Sequence, residues 1–362
     1  MTEPAWRSEA CVPAPKTLRD VDDTLRADAA FRLASEGAAL VWRSDYHNAR
    51  QLLQAMTRRS ERRRASARPA SPLEGFHLHR KQQAERARIL GRLLVQVDGD
   101  YTIALSRAPD VRAALAEAWG PATGTPSLVS LRELLGIIGA HEWRRKGVDI
   151  PALGARIHPH YGVFSPVRGE YLDLLGRAPL PATALAFDIG TGTGVIAALL
   201  AKRGVKRVVA TDVDPRALAC ARENIERLGL SAQVEVVKAD LFPEGRAPLV
   251  VCNPPWLPGR AASPIERAIY DEDSAMLKGF LTRLRGHLES NGEGWLVMSD
   301  LAELLGLRPP GELDSWIAQA GLRVIATDSI RPRHAKASDP DDPLHAARSK
   351  EVTRLLRLAA QQ

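Results

Sequence analysis

Short runs of apolar and β-branched residues alternate with amphipathic segments in the second half of the chain. From about residue 180 the runs read "ALAFDIG", "RVVATDVD", "VEVVKADL", "LVVCNPP", "GWLVMSD" and "LRVIATDSI", and a last run, "SKEVTRLLRL", follows a polar stretch. This alternation is typical of βαβ units, whose parallel strands are buried on both faces. We therefore predict an α/β domain over residues 151–362, with a doubly wound and mostly parallel sheet of seven strands.

The first 150 residues follow a different pattern, with apolar positions at helical spacing. The segments that show it are "LRDVDDTLRADAAFRLAS", "YHNARQLLQAMTRRSERRR", "RKQQAERARILGRLL" and "LVSLRELLGIIGAHEWRRKG". The stretch "DYTIALS" reads as a strand, and the proline-containing "ASARPASPLEG" reads as a connector. We predict a mainly helical domain over residues 1–150 that serves substrate recognition.

The positive charge of the protein is concentrated in this first domain. The formal net charge is +7, and residues 1–150 hold 24 Lys and Arg against 18 Asp and Glu. Five arginines fall within residues 58–64, in "TRRSERRRASAR". These arginines suit RNA phosphates, although a solvated helix end with favourable dipole charge explains them equally. The charge is compatible with nucleic-acid binding and with an ordinary basic surface.

Several other classes of protein are disfavoured by composition. No stretch approaches the roughly 18 apolar residues of a membrane span, and the first residues lack a signal-peptide core. We expect a cytoplasmic protein without membrane contact, present as a monomer or a weak dimer. The three cysteines form no CxxC pair, and the two H-x-H pairs, at residues 77–79 and 158–160, have no neighbouring Cys or carboxylate cluster. We therefore expect no metal site.

A glycine-rich loop follows the first strand of the α/β domain, in "FDIGTGTGVIAALLAKRG". Gly190, Gly192 and Gly194 allow a tight turn and close approach of a ligand, and the helix that begins near Val195 directs its free N–H groups to the same place. The spacing is G-x-G-x-G, whereas a dinucleotide site shows G-x-G-x-x-G. Asp188 lies at the end of the strand itself.

Acidic residues end the next two strands. Asp212 follows the second strand, where a carboxylate accepts hydrogen bonds from both ribose hydroxyls of a nucleotide. Asp240 ends the third strand, where it is positioned to receive an adenine amino group. Asp214 precedes a proline and is predicted to be a helix N-cap.

These residues together resemble the cofactor site of class I S-adenosylmethionine-dependent methyltransferases. "DIGTGTG" is similar to the family's first motif and "TDVD" to its second. The resemblance implies S-adenosyl-L-methionine as the cofactor and makes a nicotinamide enzyme the weaker alternative. It implies a cofactor-binding set: Asp188, Gly190, Thr191, Gly192, Gly194, Asp212, Val213, Asp240, Leu241 and Asn253.

A stiff polar corner, "NPPW", follows the fourth strand. It resembles the N-P-P-aromatic motif of methyltransferases that modify planar nitrogen, such as the HemK and methyltransferase small-domain group. The oxygens of Asn253 and Pro254 are expected to hold an NH₂ group, Pro254 and Pro255 to stiffen the corner, and Trp256 to stack on a flat target. The alternative is a turn whose Trp packs inward. We predict these four residues to be catalytic.

The acceptor molecule is less sharply indicated. "FSPVRGE" resembles the segment before the domain in guanine-N2 and HemK-type methyltransferases, which makes Phe164 and Arg168 candidate substrate contacts. We predict an exocyclic base amine of ribosomal or transfer RNA, with a protein glutamine amide as the alternative. A small-molecule enzyme and a silent binding protein are the weaker alternatives. The polar segment 331–350 is a candidate lid.

Overall fold

The computed structural model describes residues 3–62, 69–167, 169–333 and 339–361. The chain divides into two compact units. The first consists of residues 1–70 and 77–142, and the second of residues 71–76 and 143–362.

The first unit contains a five-stranded sheet with the strand order β1-β5-β4-β3-β2. Its strands are β1 (Ala5–Trp6), β2 (Leu18–Val21), β3 (Ala39–Trp42), β4 (Leu93–Val97) and β5 (Ser127–Ser130). Only β4 and β5 are antiparallel neighbours. The helices that begin before residue 142 are α1 (Ala27–Ser35), α2 (Tyr46–Arg62), α3 (Pro72–Leu90), α4 (Arg112–Trp119) and α5 (Leu131–Lys146).

The prediction of a mainly helical domain did not anticipate this sheet, although the helices contain more residues than the strands. The strand expected in "DYTIALS" is absent from the structure, and β4 lies in "LLVQV", whose first two residues had been predicted as the end of the preceding helix. All four residues of β3 and all four of β5 are buried. A short strand buried on both faces lacks the alternation of apolar and polar residues that distinguishes a strand from a helical turn.

The second unit is built on a seven-stranded sheet with the strand order β10-β9-β8-β11-β14-β16-β15. The strands are β8 (Leu185–Ile189), β9 (Arg207–Asp212), β10 (Val234–Lys238), β11 (Ala247–Cys252), β14 (Leu288–Ser299), β15 (Leu322–Ile330) and β16 (Thr353–Ala360). Strand β16 is antiparallel to both of its neighbours, and the remaining pairs are parallel. The predicted doubly wound, mostly parallel α/β fold is confirmed.

Helices cover both faces of this sheet. They are α6 (Glu170–Arg177), α7 (Val195–Lys202), α8 (Pro215–Arg227), α9 (Ala275–His287), α10 (Leu301–Leu304), α11 (Glu312–Gln319) and α12 (His345–Arg348). Alternate residues of β11 join different apolar clusters: Leu249 and Val251 pack in the cluster that contains α6 and α7, and Val250 and Cys252 pack in the cluster that contains α9 and α11. All six residues of β11 are buried, which explains its continuous apolar sequence.

Two small ladders complete the second unit. Strands β6 (Val148–Ile150) and β7 (Ala155–Ile157) form an antiparallel hairpin around a 3₁₀ turn. Strands β12 (Leu257–Pro258) and β13 (Tyr270–Asp271) pair in parallel and enclose the 3₁₀ helix Pro264–Ala268. Within the described ranges, no helix is both long enough and apolar enough to cross a membrane.

Candidate functional site

The direction of strand order reverses between β8 and β11, and a deep pocket opens there. In open α/β sheets this reversal leaves a crevice at the carboxyl ends of the strands, where ligands bind. The pocket has a volume of about 1240 Å³ and lies entirely within the second unit. Since ordinary ligand pockets reach about 1,000 Å³, it has room for a cofactor and an acceptor group together.

The glycine loop forms one wall of the pocket. Gly190, Gly192 and Gly194 have φ angles of 70°, 54° and 81°, a region that glycine adopts without strain. A Cβ on Gly190 would stand 2.6 Å from the Cε of Met276, whereas one on Gly192 would meet no atom within 4 Å. The loop is therefore closed on the side of Met276 and open at Gly192, where Thr191 and Gly192 line the pocket.

Asp188 lies buried beneath this loop. Its Oδ2 accepts hydrogen bonds from the Thr191 hydroxyl at 2.6 Å and the Ala197 amide at 3.1 Å. Its Oδ1 is buried with no hydrogen-bond partner among the described residues. Burial raises the pKa of Asp188 to about 7, and the charge of Asp212 contributes to the rise. The carboxyl group holds the loop to α7, and its predicted contact with a cofactor stays a prediction.

Asp212 ends β9 and faces the pocket. Its Oδ2 accepts a hydrogen bond from the Gly192 amide at 3.0 Å, and its Oδ1 accepts one from the Asp214 amide at 3.0 Å. Burial raises the pKa of the Asp212 carboxyl group. Asp214 accepts a hydrogen bond from the Arg216 amide at 2.8 Å, so the predicted N-cap of α8 is confirmed. Val213 is exposed and lines the same wall.

Asp240 and Leu241 extend this wall past the end of β10. Asp240 is exposed and lies 3.5 Å from the guanidinium of Arg283, which also donates to the Asp240 main-chain oxygen at 3.0 Å. Leu241 has a φ angle of 66°, and its carbonyl accepts a hydrogen bond from the Thr211 hydroxyl. A side chain of α9 therefore fixes the position of Asp240, which the sequence pattern did not anticipate.

The Asn253–Trp256 corner lines the pocket beside the glycine loop, because Cys252 pairs with Ile189 in the neighbouring strand. The indole Nε1 of Trp256 donates to the Asn253 Oδ1 at 3.0 Å, and both residues line the pocket with Pro254 and Pro255. Trp256 is half-buried and contacts both apolar clusters of the sheet. The indole thus packs inward and lines the pocket at the same time. Because a carbonyl oxygen has two lone pairs, the Asn253 Oδ1 retains capacity for a second donor.

The thiol next to this corner is inert. Cys252 is fully buried at the end of β11, and burial raises the pKa of its thiol well above the ordinary value of 9.0. Cys220 is likewise buried, and burial raises its pKa to about 12. A thiol that stays protonated is neither a nucleophile nor a metal ligand. Neither cysteine belongs to the chemistry of the pocket.

The segment before α6 contributes a further wall. Phe164 is half-buried and lines the pocket, as predicted from "FSPVRGE". Arg168 lies outside the described residues. The His160 ring nitrogen lies 2.7 Å from the Glu223 carboxylate, and the His158 amide donates to Asn224 at 2.8 Å. These histidines tie the segment to α8. Across the described residues, no group of three or more His, Cys, Asp or Glu side chains is arranged to hold a metal ion.

The start of α9 supplies residues that the sequence pattern missed. Met276, Lys278 and Gly279 line the pocket, and the buried Asp271 accepts hydrogen bonds from the amides of Met276 at 3.0 Å and Leu277 at 3.1 Å. The "YDEDSAMLKGF" stretch carried a signal, since acidic residues before an apolar helix favour its N-terminus. Tyr171 on α6 also lines the pocket, and burial raises the pKa of its hydroxyl.

A family model and individual relatives match the second unit. Residues 155–304 match the model of the methyltransferase small domain. Ribosomal protein L11 methyltransferase of Vibrio campbellii is 30% identical over 153 residues, which are 42% of this chain and 47% of that protein. Release factor glutamine methyltransferase of Cereibacter sphaeroides is 42% identical over 94 residues, which are 25% of this chain and 34% of that protein. The chain thus spans less than half of the length of either relative.

Solved structures show similarity at lower identity. The crystal structure of a ribosomal protein L11 methylase from Lactobacillus delbrueckii subsp. bulgaricus is 18% identical, with a TM-score of 0.38. The similar region covers 55% of this chain and 82% of that chain.

Proposed function

We propose that the chain transfers a methyl group from S-adenosyl-L-methionine to a planar nitrogen, with an exocyclic base amine of RNA as the acceptor. The premise is the match of residues 155–304 to the model of the methyltransferase small domain. One observation carries the proposal. The glycine loop, Asp212 and the Asn253–Trp256 corner line a single pocket that is large enough for two ligands.

The residues of the first wall fit the cofactor. A close approach of ligand to backbone is possible at Gly192, because no atom lies within 4 Å of the position that a Cβ would take. Asp212 offers carboxylate oxygens to ribose hydroxyls, and the exposed Asp240 offers an acceptor to an adenine amine. When bound, S-adenosyl-L-methionine supplies an electrophilic methyl group.

The residues of the Asn253–Trp256 corner act on the acceptor. A nitrogen conjugated to a ring is a weak nucleophile, because its lone pair is delocalised. The Asn253 Oδ1 and the Pro254 carbonyl accept hydrogen bonds from the two N–H groups and so favour the form in which the lone pair is available. The bond from Trp256 holds the Asn253 amide in one orientation, which removes a rotamer that would otherwise have to be ordered. These groups position the nitrogen, and the methylated cation loses its proton without a strong base.

RNA is the proposed acceptor because of charge. Residues 1–150 hold 24 basic against 18 acidic residues, and polyanion binding depends on such an excess. The arginines of residues 63–64 lie outside the described residues, and Arg59 pairs with Asp28. A second candidate, methylation of a protein glutamine amide, is favoured by the glutamine methyltransferase of Cereibacter sphaeroides among the relatives. Both acceptors present a planar NH₂ group to the same corner.

The reaction and the acceptor class are tested with tritiated S-adenosyl-L-methionine and extracts of the source cells. We expect label in macromolecules that RNase removes and protease leaves intact. Loss of label with protease alone would establish the glutamine alternative.

An Asn253→Ala variant tests the corner in the same assay. We expect transfer to fall at least about 100-fold, as for the loss of a positioned donor or acceptor at a reacting centre, with S-adenosyl-L-homocysteine affinity within about threefold of the original. Undiminished transfer in this variant would refute the role of the corner.

A further inference from the structure

Two arginines line the pocket near the Asn253–Trp256 corner and have no part in the proposed methyl transfer. They are Arg267, in the 3₁₀ helix Pro264–Ala268, and Arg348, the last residue of α12. Arg267 was not predicted from the sequence, and Arg348 lies in the segment 331–350 that the sequence analysis named as a candidate lid. Both lie within the second unit.

Each arginine is carried by an element attached to the residues that follow the corner. Strand β12, which begins at Leu257, pairs with β13, and the helix of Arg267 immediately precedes β13. Leu344 and Ala347, beside Arg348, pack in one apolar cluster with Leu257 and Leu301. The pairing and packing therefore tie the elements that carry both cations to the strand that follows the Asn253–Trp256 corner.

The guanidinium group of Arg348 forms an ion pair through one nitrogen and leaves another nitrogen without a hydrogen-bond partner among the described residues. Its Nη1 pairs with the Asp342 carboxylate at 2.9 Å, and only 17% of its side chain is exposed. Its Nε has no hydrogen-bond partner among the described residues. Because one ion pair already fixes this guanidinium group, Arg348 needs little further ordering to bind an oxyanion through the N–H groups that Asp342 leaves free.

Arg267 provides a second cation without a competing carboxylate. It is exposed and forms no ion pair within the part of the chain that the structure describes. The carboxylate of Asp271, in the following strand, is occupied by the amides of Met276 and Leu277. By contrast, Asp212, Asp214 and Asp240 line the cofactor side, where Arg283 is paired with Asp240.

We propose that Arg267 and Arg348 bind the phosphate group of the target nucleotide, and thereby select a nucleic-acid base as the acceptor. The inference rests on the proposed methyl transfer to an RNA base and deepens it by naming the residues that bind the target phosphate. A phosphate offers oxygen acceptors to the guanidinium groups of Arg267 and Arg348, which both line the pocket, and its charge offsets that of Arg267. A glutamine side chain is neutral and would leave both cations as they stand.

The test uses the full chain saturated with S-adenosyl-L-homocysteine, so that nucleotides cannot occupy the cofactor side. AMP, GMP and CMP are titrated by calorimetry beside their nucleosides. For at least one base we expect the monophosphate to bind roughly tenfold more tightly than the nucleoside, with the advantage decreasing as salt is raised. Equal affinity of nucleoside and monophosphate for all three bases would overturn the proposal.

Variants of Arg267 and Arg348 test whether these side chains cause the tighter binding of the monophosphate. Arg267→Gln changes an exposed side chain, and Arg348→Lys retains the charge opposite Asp342 while removing the planar fork. Each should reduce the advantage of the monophosphate at least about threefold, whereas Arg207→Gln, at an exposed pair with Glu235 outside the pocket, should preserve it. An advantage that persists in both pocket variants would also overturn the proposal.

The outcome is separable from that of the methyl-transfer assay. If label enters protein alone and monophosphates bind no more tightly than nucleosides, the proposed methyl transfer is supported and the proposed phosphate site is refuted. If no acceptor is labelled while the monophosphates bind as expected, the proposed reaction fails and the anion site stands.

Discussion

Asp212 and Asp214 are two residues apart and have different roles. Asp212 presents its carboxylate to the pocket, and Asp214 caps α8. We expect Asp212→Ala to weaken binding of S-adenosyl-L-homocysteine at least about tenfold, because hydrogen bonds to a charged group contribute about 1.5–3 kcal/mol. Asp214→Ala should instead cost about 1 kcal/mol of the free energy of unfolding and leave affinity within about twofold. Calorimetry and urea unfolding distinguish the two, and equal losses of affinity would contradict the assignment.

The buried Asp188 makes the stability of the protein depend on pH. Its pKa is raised from the ordinary 3.8 to about 7 by burial, so between these values the folded chain binds more protons than the unfolded chain. The free energy of unfolding should therefore fall as pH rises from 4 to 7, with a contribution from this group of at most about 1.4 kcal/mol per pH unit. Asp188→Asn removes that contribution.

The measurement is urea unfolding of both proteins, without ligand, at several pH values from 4.5 to 8. As pH rises, the free energy of unfolding of the original protein should fall relative to that of the Asp188→Asn variant. Parallel curves would show that Asp188 does not carry a raised pKa.

At the scale of elements, Asp271 connects the loop after the corner to α9. It ends β13, and its carboxylate accepts hydrogen bonds from the first amides of α9. The intervening residues Asp273 and Ser274 have φ angles of 56° and 53°, which are unfavourable without such an anchor. This geometry brings Met276 under the glycine loop.

We expect Asp271→Ala to lower the free energy of unfolding by about 1–3 kcal/mol, because two amides lose a charged acceptor. Cofactor affinity should fall as well, since Met276 supports the loop at Gly190. The neighbouring Glu272→Ala changes an exposed side chain and should alter neither quantity by more than about 0.5 kcal/mol. If the two variants behave alike in urea unfolding, the anchoring role is refuted.

At the scale of the whole molecule, the described residues that line the pocket all belong to one compact unit. Ligand binding should therefore slow hydrogen exchange in peptides that cover residues 189–197, 211–217, 239–242 and 253–283. We expect little direct protection in peptides within residues 3–62 and 77–142. Mass spectrometry with and without S-adenosyl-L-homocysteine measures this, and protection centred in the first unit would place the cofactor elsewhere.

The sequence predicted the second unit far better than the first. The first five strands of the seven-stranded sheet in chain order were apolar runs that led into a glycine, an acid or a proline, so the sequence marked both the strand and the candidate site residue at its end. The strands of the first unit have five residues or fewer, and buried stretches such as Ala39–Trp42 carry no period that separates them from helix. Local pattern could not reveal their pairing, which joins strands distant in sequence.

The residues of the candidate site likewise differ in whether the sequence could predict them. Residues in loops directly after strands, such as Asp212 and Asn253, follow from strand order alone. Met276, Arg267 and Arg348 reach the pocket through tertiary packing of a helix start, a 3₁₀ helix and a short late helix. The hydrogen bond between Trp256 and Asn253 likewise depends on side-chain geometry that no motif records.

The placement of the three thiols gives the molecule a built-in chemical label. Cys11 is exposed, whereas Cys220 and Cys252 are buried with raised pKa values. A maleimide dye should therefore attach to one position on the native chain and to three after denaturation. The stoichiometry of alkylation thus reports the fraction of intact molecules in any preparation, and a fluorophore at Cys11 leaves the candidate pocket chemically unmodified.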